Sequence, residues 1–206
     1  MPLFRDFSDN QATIQIWKFD ENEVLDSQEL LEPENLEKIK DYHPKKLSEH
    51  LMIRRILKNN LPKHKILYQG NGEPYLSPHT HHISISHSFP YAVLAISEKK
   101  IGIDIEKIQP KISKLKHKFL YKTELEWTKN DRETEYLSAI WAIKESLYKI
   151  HPSKYWSLKK HYEVFPFDLD KLDSIECRIF DEVFNDYFTA QVRKVEDYYF
   201  AVVYDV

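Results

Sequence analysis

The sequence predicts an α+β protein made of two similar α/β halves, residues 1–98 and 99–206. Two observations carry this. Each half opens on a strand-like alternation: Ile14, Ile16 and Trp17 within 13–19, and Ile101, Ile103 and Ile105 within 101–108. Each half then passes through a helix-periodic middle and closes on paired apolar runs. Such an order builds a sheet with helix packed on it. Its recurrence in both halves implies pseudo-two-fold symmetry with a cleft between the halves, a common place for ligands, although no residue-level repeat is present.

Taken in order, the run 13–19 alternates and reads as a strand. A short helix is expected over 34–42, and His43-Pro44 breaks the chain. Pro44 suits a first helical turn, and Leu47, Leu51 and Leu57 keep a helical period over 45–57. Gln69-Gly70-Asn71-Gly72-Glu73-Pro74 is a turn. Residues 83–97 form two strands around a turn at 87–90, and Glu98-Lys99-Lys100 is the junction. In the second half the opening strand is followed by a lysine-rich stretch, 107–118, that contains no acid. Thr123 is expected to cap a short helix ending at Trp127, and 133–150 is a long helix. Strands are expected at 176–180, 187–195 and 198–206, the last two joined by a tight turn at Glu196-Asp197.

Composition narrows the function classes. With 206 residues, 42% hydrophobic and 31% charged, the chain can bury a sizeable core. Its single cysteine, Cys177, excludes an internal disulfide and fits a reducing compartment. The opening residues lack the apolar core of a secretion signal, and no apolar run reaches the ~20 residues of a membrane span. A cytoplasmic protein without membrane contact is expected. A net charge of -3 and one short lysine run offer little to a nucleic-acid backbone. Glycine occurs only at positions 70, 72 and 102, so no glycine-rich phosphate loop is present. Any phosphate chemistry must fall to metal and basic side chains.

The run Gly102-Ile103-Asp104-Ile105-Glu106 places two carboxylates on one strand face, with isoleucines on the other as the core face of the second half. Like charges this close repel unless something positive lies between them. Two readings stand: a solvated edge face that discourages aggregation, or a site for a divalent cation with oxygen ligands. Glu145 follows Glu106 by 39 residues, in Trp141-Ala-Ile-Lys-Glu-Ser-Leu-Tyr-Lys149. Trp141, Glu145 and Lys149 share one helical face. Glu145 and Lys149 read either as an ordinary surface ion pair or as part of the same site.

Together these two segments resemble the G-(I/V)-D-(I/V)-E and W-x-x-K-E-(S/A)-x-x-K signature of the 4′-phosphopantetheinyl transferases, in their larger, monomeric, duplicated-fold Sfp type. Upstream, residues 83–88 are similar to that family's S-H-S motif, and 70–76 to its G-K-P turn. The resemblance implies the family's fold and transfer of the phosphopantetheine arm of coenzyme A to a serine of an apo acyl or peptidyl carrier protein. Adenosine 3′,5′-bisphosphate would leave. It also implies Asp104, Glu106 and Glu145 as ligands of Mg²⁺, with Mn²⁺ an alternative, and Lys149 as a contact for coenzyme A phosphate that stabilises the leaving group. Lys144 matches a second basic position, His87 the histidine that meets the 3′-phosphate, and Lys46 and Arg54 the basic helix positions. Trp141 is expected to pack and fix the helix.

Glu124 matches the position of a general base, although the helix dipole alone also favours a glutamate there. Glu73 stands where the family has a lysine, which is expected to weaken coenzyme A binding unless Lys63 or Lys65 supplies the charge. Residues 107–118 are expected to steer an acidic carrier. His79-Thr80-His81-His82 lacks a cysteine partner and is not read as a zinc site. The rival readings are a non-catalytic coenzyme A or carrier-binding homologue and a metal-dependent phosphodiesterase.

Overall fold

The computed structural model describes residues 3–31, 35, 36, 39–151 and 157–205. The chain divides into two compact units, 1–99 and 100–206. In the first, the antiparallel sheet runs in the order β1 (Leu3–Asp6), β2 (Ala12–Lys18), β6 (Tyr91–Ser97) and β5 (His82–Ser88). After a single turn of helix, α1 (Ser27–Leu30), comes the long helix α2 (Pro44–Asn60). Pro44 begins it where a missing N–H costs no hydrogen bond, and the His43 ring accepts from the Lys45 N–H as its cap. Met52, Ile53, Ile56 and Leu57 of α2 pack against Trp17, Ala92, Leu94 and Ile96 of the sheet. The hairpin β3 (Lys65–Tyr68) and β4 (Pro74–Ser77) adds Ile66 and Leu76 to that core. Gly72 in its turn has φ 86°, a conformation glycine adopts without steric cost.

The second unit is a five-stranded antiparallel sheet in the order β7 (Ile101–Lys107), β11 (Tyr198–Tyr204), β10 (Asn185–Val195), β9 (Ile175–Phe180) and β8 (Tyr162–Val164). Three short helices, α3 (Lys116–Phe119), α4 (Glu124–Trp127) and α6 (Leu158–His161), surround the long α5 (Glu133–Ile150). Leu137, Ile140, Ile143 and Leu147 of α5 share a core with Tyr199, Ala201 and Val203 of β11 and with Val192, Cys177 and Ile179. The units share a strand plan. Strand β2 in the first unit and β7 in the second pair with the last strand of their unit, and the last with the one before it: β2-β6-β5 and β7-β11-β10. No helix among the described residues is long and apolar enough to cross a membrane.

Helix α5 and both closing hairpins lie where periodicity puts them. The three- and four-residue strands β1, β3, β4 and β8 are too short to carry a readable alternation. The helix expected over 34–42 falls partly outside the described residues. Thr123 is not a cap: its backbone is itself helical, and its hydroxyl donates to Glu163 Oε1 at 2.6 Å.

Register corrects the expected faces of β7. Gly102, Asp104 and Glu106 stand opposite Val203, Ala201 and Tyr199, and those β11 residues belong to the core under α5. Directly opposed residues share a face. The carboxylates therefore lie on the helix-covered side. The isoleucines occupy the other side and are buried as well. Gly102 is what brings the helix down. A Cβ there would sit 2.0 Å from the Ser146 backbone oxygen, so only glycine permits this approach of strand to helix.

Gly102→Ala should therefore lower stability by about 3 kcal/mol or more. Urea unfolding would read this as a lower midpoint with an unchanged slope. A midpoint equal to that of the parent would show that α5 does not press on β7 there.

Candidate functional site

The descent of α5 onto β7 gathers the acidic and basic groups of both motifs. The helix runs antiparallel to the strand, with Lys149 beside Asp104 and Trp141 beside Glu106. Lys149 Nζ donates to the Ile103 carbonyl at 2.7 Å and to Asp104 Oδ1 at 2.8 Å. Trp141 Nε1 donates to Glu106 Oε1 at 3.1 Å, and its ring meets Phe119 edge-on at 4.9 Å. The indole therefore packs, as expected, and also orients a carboxylate, which the sequence reading missed. Its place one helical turn before Glu145 is the signal that pointed there.

The electrostatics of this cluster are unfavourable for anions. Burial pushes the Glu106 carboxyl up to about 7; the Asp104 and Glu145 charges add to this, while the Trp141 N–H and Lys149 oppose it. Glu145 is raised for the same reasons, burial first and then Asp104, with Lys149 opposing. Three carboxylates with oxygen donors only, held where negative charge is disfavoured, suit a hard cation. Among the described residues no three His, Cys, Asp or Glu side chains close into a ready cage, and Lys149 is the positive group that holds Asp104.

A second cluster lies in the first unit. Tyr42, Lys46, His50 and Arg54 recur every four residues into α2. Lys46 Nζ sits 3.9 Å over the Tyr42 ring. Arg54, 8% exposed, meets His50 Nδ1 at 3.2 Å and donates to the Tyr68 hydroxyl at 3.0 Å. Burial pushes the His50 imidazole down to about 3, helped by the charges of Arg54, His87 and Lys46. The structure thus gathers Lys46, Arg54 and His87 around one neutral histidine. His87 Nδ1 also lies 3.1 Å from Glu49 Oε2. Glu49, His50 and Tyr68 escaped the sequence reading, although the four-residue spacing marks His50. Glu73 precedes Pro74, the residue paired with Tyr68 in the hairpin, so it lies near the cluster. Arg54 also lines a pocket of about 230 Å³ with Lys58, His64 and Lys65.

Two expected site residues belong elsewhere. Lys144 is fully buried and donates to Glu124 Oε2 at 2.7 Å and to the Phe119, Tyr162 and Leu158 carbonyls at 2.8, 2.8 and 3.2 Å. An ammonium has three donors, so these acceptors leave nothing for a phosphate. Glu124 is also fully buried. Besides Lys144, it accepts from the backbone N–H groups of Tyr121 at 2.6 Å and Val164 at 2.7 Å. A carboxylate enclosed in this way does not stand open to a substrate hydroxyl as a base. The lysine-rich stretch also divides. Lys107 pairs with Asp197 and Lys116 with Glu133, whereas Lys111, Lys114, His117 and Lys118 are exposed.

A family model described as the 4′-phosphopantetheinyl transferase superfamily matches residues 100–203. The chain is similar to the 4′-phosphopantetheinyl transferase gsp of Aneurinibacillus migulanus, 35% identical over 118 residues, covering 54% of this chain and 49% of that protein. It is also similar to the 4′-phosphopantetheinyl transferase Sfp of Bacillus subtilis (strain 168), 31% identical over 144 residues and 63% of each chain. A 4′-phosphopantetheinyl transferase of Bacillus subtilis is 38% identical over 85 residues, 39% of this chain and 38% of that one. The chain spans about half the length of the curated relatives it matches.

The Glu106 position carries a pH signature. Its carboxyl titrates at about 7 when folded, against 4.5 for the ordinary group. The folded protein then holds the proton more tightly than the unfolded chain. The stabilising contribution is complete below about 4.5 and is lost as pH rises through about 7. Melting temperature of the metal-free protein should fall over that window, and Glu106→Gln should flatten the fall. Parallel profiles for parent and variant would place the Glu106 carboxyl at its ordinary value.

Proposed function

Because the chain belongs to the 4′-phosphopantetheinyl transferase superfamily, we propose that it transfers the phosphopantetheine arm of coenzyme A to a serine of an apo carrier protein. The observation that carries this reading is the meeting of Asp104, Glu106, Glu145 and Lys149 on β7 and α5, inside the stretch that the family model matches. Those carboxylates would hold Mg²⁺, with Mn²⁺ as an alternative of the same ligand preference. Bound there, such an ion would supply positive charge against the negative charge that develops on the leaving group.

The chain's own residues supply the rest. Trp141 keeps the Glu106 carboxylate oriented through its indole N–H. Lys149 carries the positive charge that serves the departing bisphosphate. Lys46, Arg54 and His87 bind the nucleotide phosphates, with the neutral His50 among them adding no charge of its own. In the reaction the serine oxygen bonds to the phosphorus that carries the pantetheine arm. The bond from that phosphorus to the bridging oxygen breaks, and adenosine 3′,5′-bisphosphate leaves. The serine proton passes to a base other than Glu124, which is fully buried and already bonded to Lys144 and two backbone N–H groups. An acidic acyl or peptidyl carrier docks at the exposed Lys111, Lys114 and Lys118. The enzyme acts as a cytoplasmic monomer.

Glu73 favours one second reading, a homologue that binds coenzyme A or a carrier without catalysis, because its charge would oppose the nucleotide phosphates. One assay separates the two. The protein is incubated with coenzyme A, Mg²⁺ and a panel of apo carriers, and each carrier is weighed by mass spectrometry. The transferase reading expects one phosphopantetheine added to at least one carrier, and expects Asp104→Ala to slow transfer roughly 100-fold or more without unfolding. Coenzyme A binding without any mass gain would support the second reading, and an undiminished rate in Asp104→Ala would remove the strand carboxylates from the chemistry.

A further inference from the structure

One buried pair has no part in the chemistry above and stands directly beside it. We propose that Glu124 and Lys144 are positioning residues: the pair sets the height and rotation of α5, and so where Glu145 and Lys149 stand against Asp104 and Glu106. This rests on the cation site proposed for those carboxylates.

The bonds of the pair gather several segments on one flank of the helix. Lys144 Nζ collects the Phe119 carbonyl at the end of α3, Glu124 in α4, the Leu158 carbonyl in α6 and the Tyr162 carbonyl in β8. Glu124 in turn ties in the Tyr121 N–H before α4 and the Val164 N–H of β8. A single ion pair thus links four elements to α5 at one residue. The next residue is Glu145, turned about 100° around the helix, and Lys149 follows just over one turn later. On the strand side Ser146 meets Gly102 with no room to spare. The helix is therefore held from two directions, by contact on β7 and by directional bonds on its flank. Apolar contacts alone would fill the flank but leave rotation less defined. Hydrogen bonds with several fixed acceptors specify a single setting. Positioning of metal ligands by outer partners is a general device, and its loss commonly weakens metal binding about 10–100-fold.

Mn²⁺ titration, followed by the electron paramagnetic resonance signal of the free ion, reads the site without a carrier. The main variant is the double substitution Glu124→Gln with Lys144→Met, which leaves no unpaired buried charge. It is expected to stay folded, to bind Mn²⁺ about 10–100-fold more weakly, and to lose kcat more than it raises KM for coenzyme A. Ile179→Val, which loosens the same core without removing a hydrogen bond, is expected to keep parental Mn²⁺ affinity. If the double variant does not fold, Glu124→Gln alone is expected to move Mn²⁺ affinity in the same direction, by less. Parental Mn²⁺ affinity in the folded variant would overturn the proposal. So would equal losses in that variant and in Ile179→Val, because the pair would then act only through stability. A parent that binds Mn²⁺ no better than Asp104→Ala would sink the cation site and this proposal with it. A parent that binds Mn²⁺ but transfers nothing to any carrier would sink only the transferase reading.

Discussion

The close approach of α5 to β7 at Gly102 governs the second unit. The Ser146 oxygen occupies the space a methyl group would need. With the helix this low, Trp141 reaches Glu106 and Lys149 reaches Asp104. The same approach takes water from the carboxylates. Glu106 and Glu145 then lie above their ordinary range, because desolvation disfavours charge and each has a like-charged neighbour. Removing an ion from water costs several kcal/mol. Here Lys149 and the indole N–H offset part of that cost, and an added divalent cation would offset more. A single missing side chain thus connects backbone packing to the electrostatics of the site.

The flank of α5 shows the same economy of charge. The Lys144 ammonium lies wholly out of water, and burial lowers its pKa while Glu124 opposes the shift. Burial raises Glu124 in turn, against its bonds to Lys144 and two backbone N–H groups. The pair persists because both partners and the surrounding carbonyls are satisfied. A second pair lies nearby: Glu163, itself buried, holds Arg178 and accepts from the Thr123 hydroxyl. Two ion pairs therefore meet around β8, a strand of three residues that has little ladder of its own.

Much of this was legible in the sequence. The spacing of Trp141, Glu145 and Lys149 marked one helical face, and the structure puts Trp141 and Lys149 in contact with the strand acids. Gly102 stands out as one of three glycines, and the structure gives it the role of admitting the Ser146 backbone. The faces of β7 were misread because alternation tells that two sets of side chains oppose each other. It does not tell which set the helix covers when both are buried. Lys144 and Glu124 were misread for a related reason. Their positions match a signature, but a sequence does not report burial, and a fully enclosed lysine next to a phosphate-handling motif reads like an exposed one. Lys46, Arg54 and His87 do come together, yet His50 at their centre shows in the sequence only as a four-residue rhythm.

The two units carry different kinds of support. The family match covers 100–203 and so the carboxylate cluster, while the first unit rests on its parallel strand plan and on the basic groups around His50. The most direct measurement is anomalous diffraction from crystals grown with coenzyme A and Mn²⁺. A cation site built by β7 and α5 predicts one strong peak about 2.1 Å from carboxylate oxygens of Asp104, Glu106 and Glu145. Bound coenzyme A with no peak at those oxygens, or with the peak at another set of residues, would contradict it.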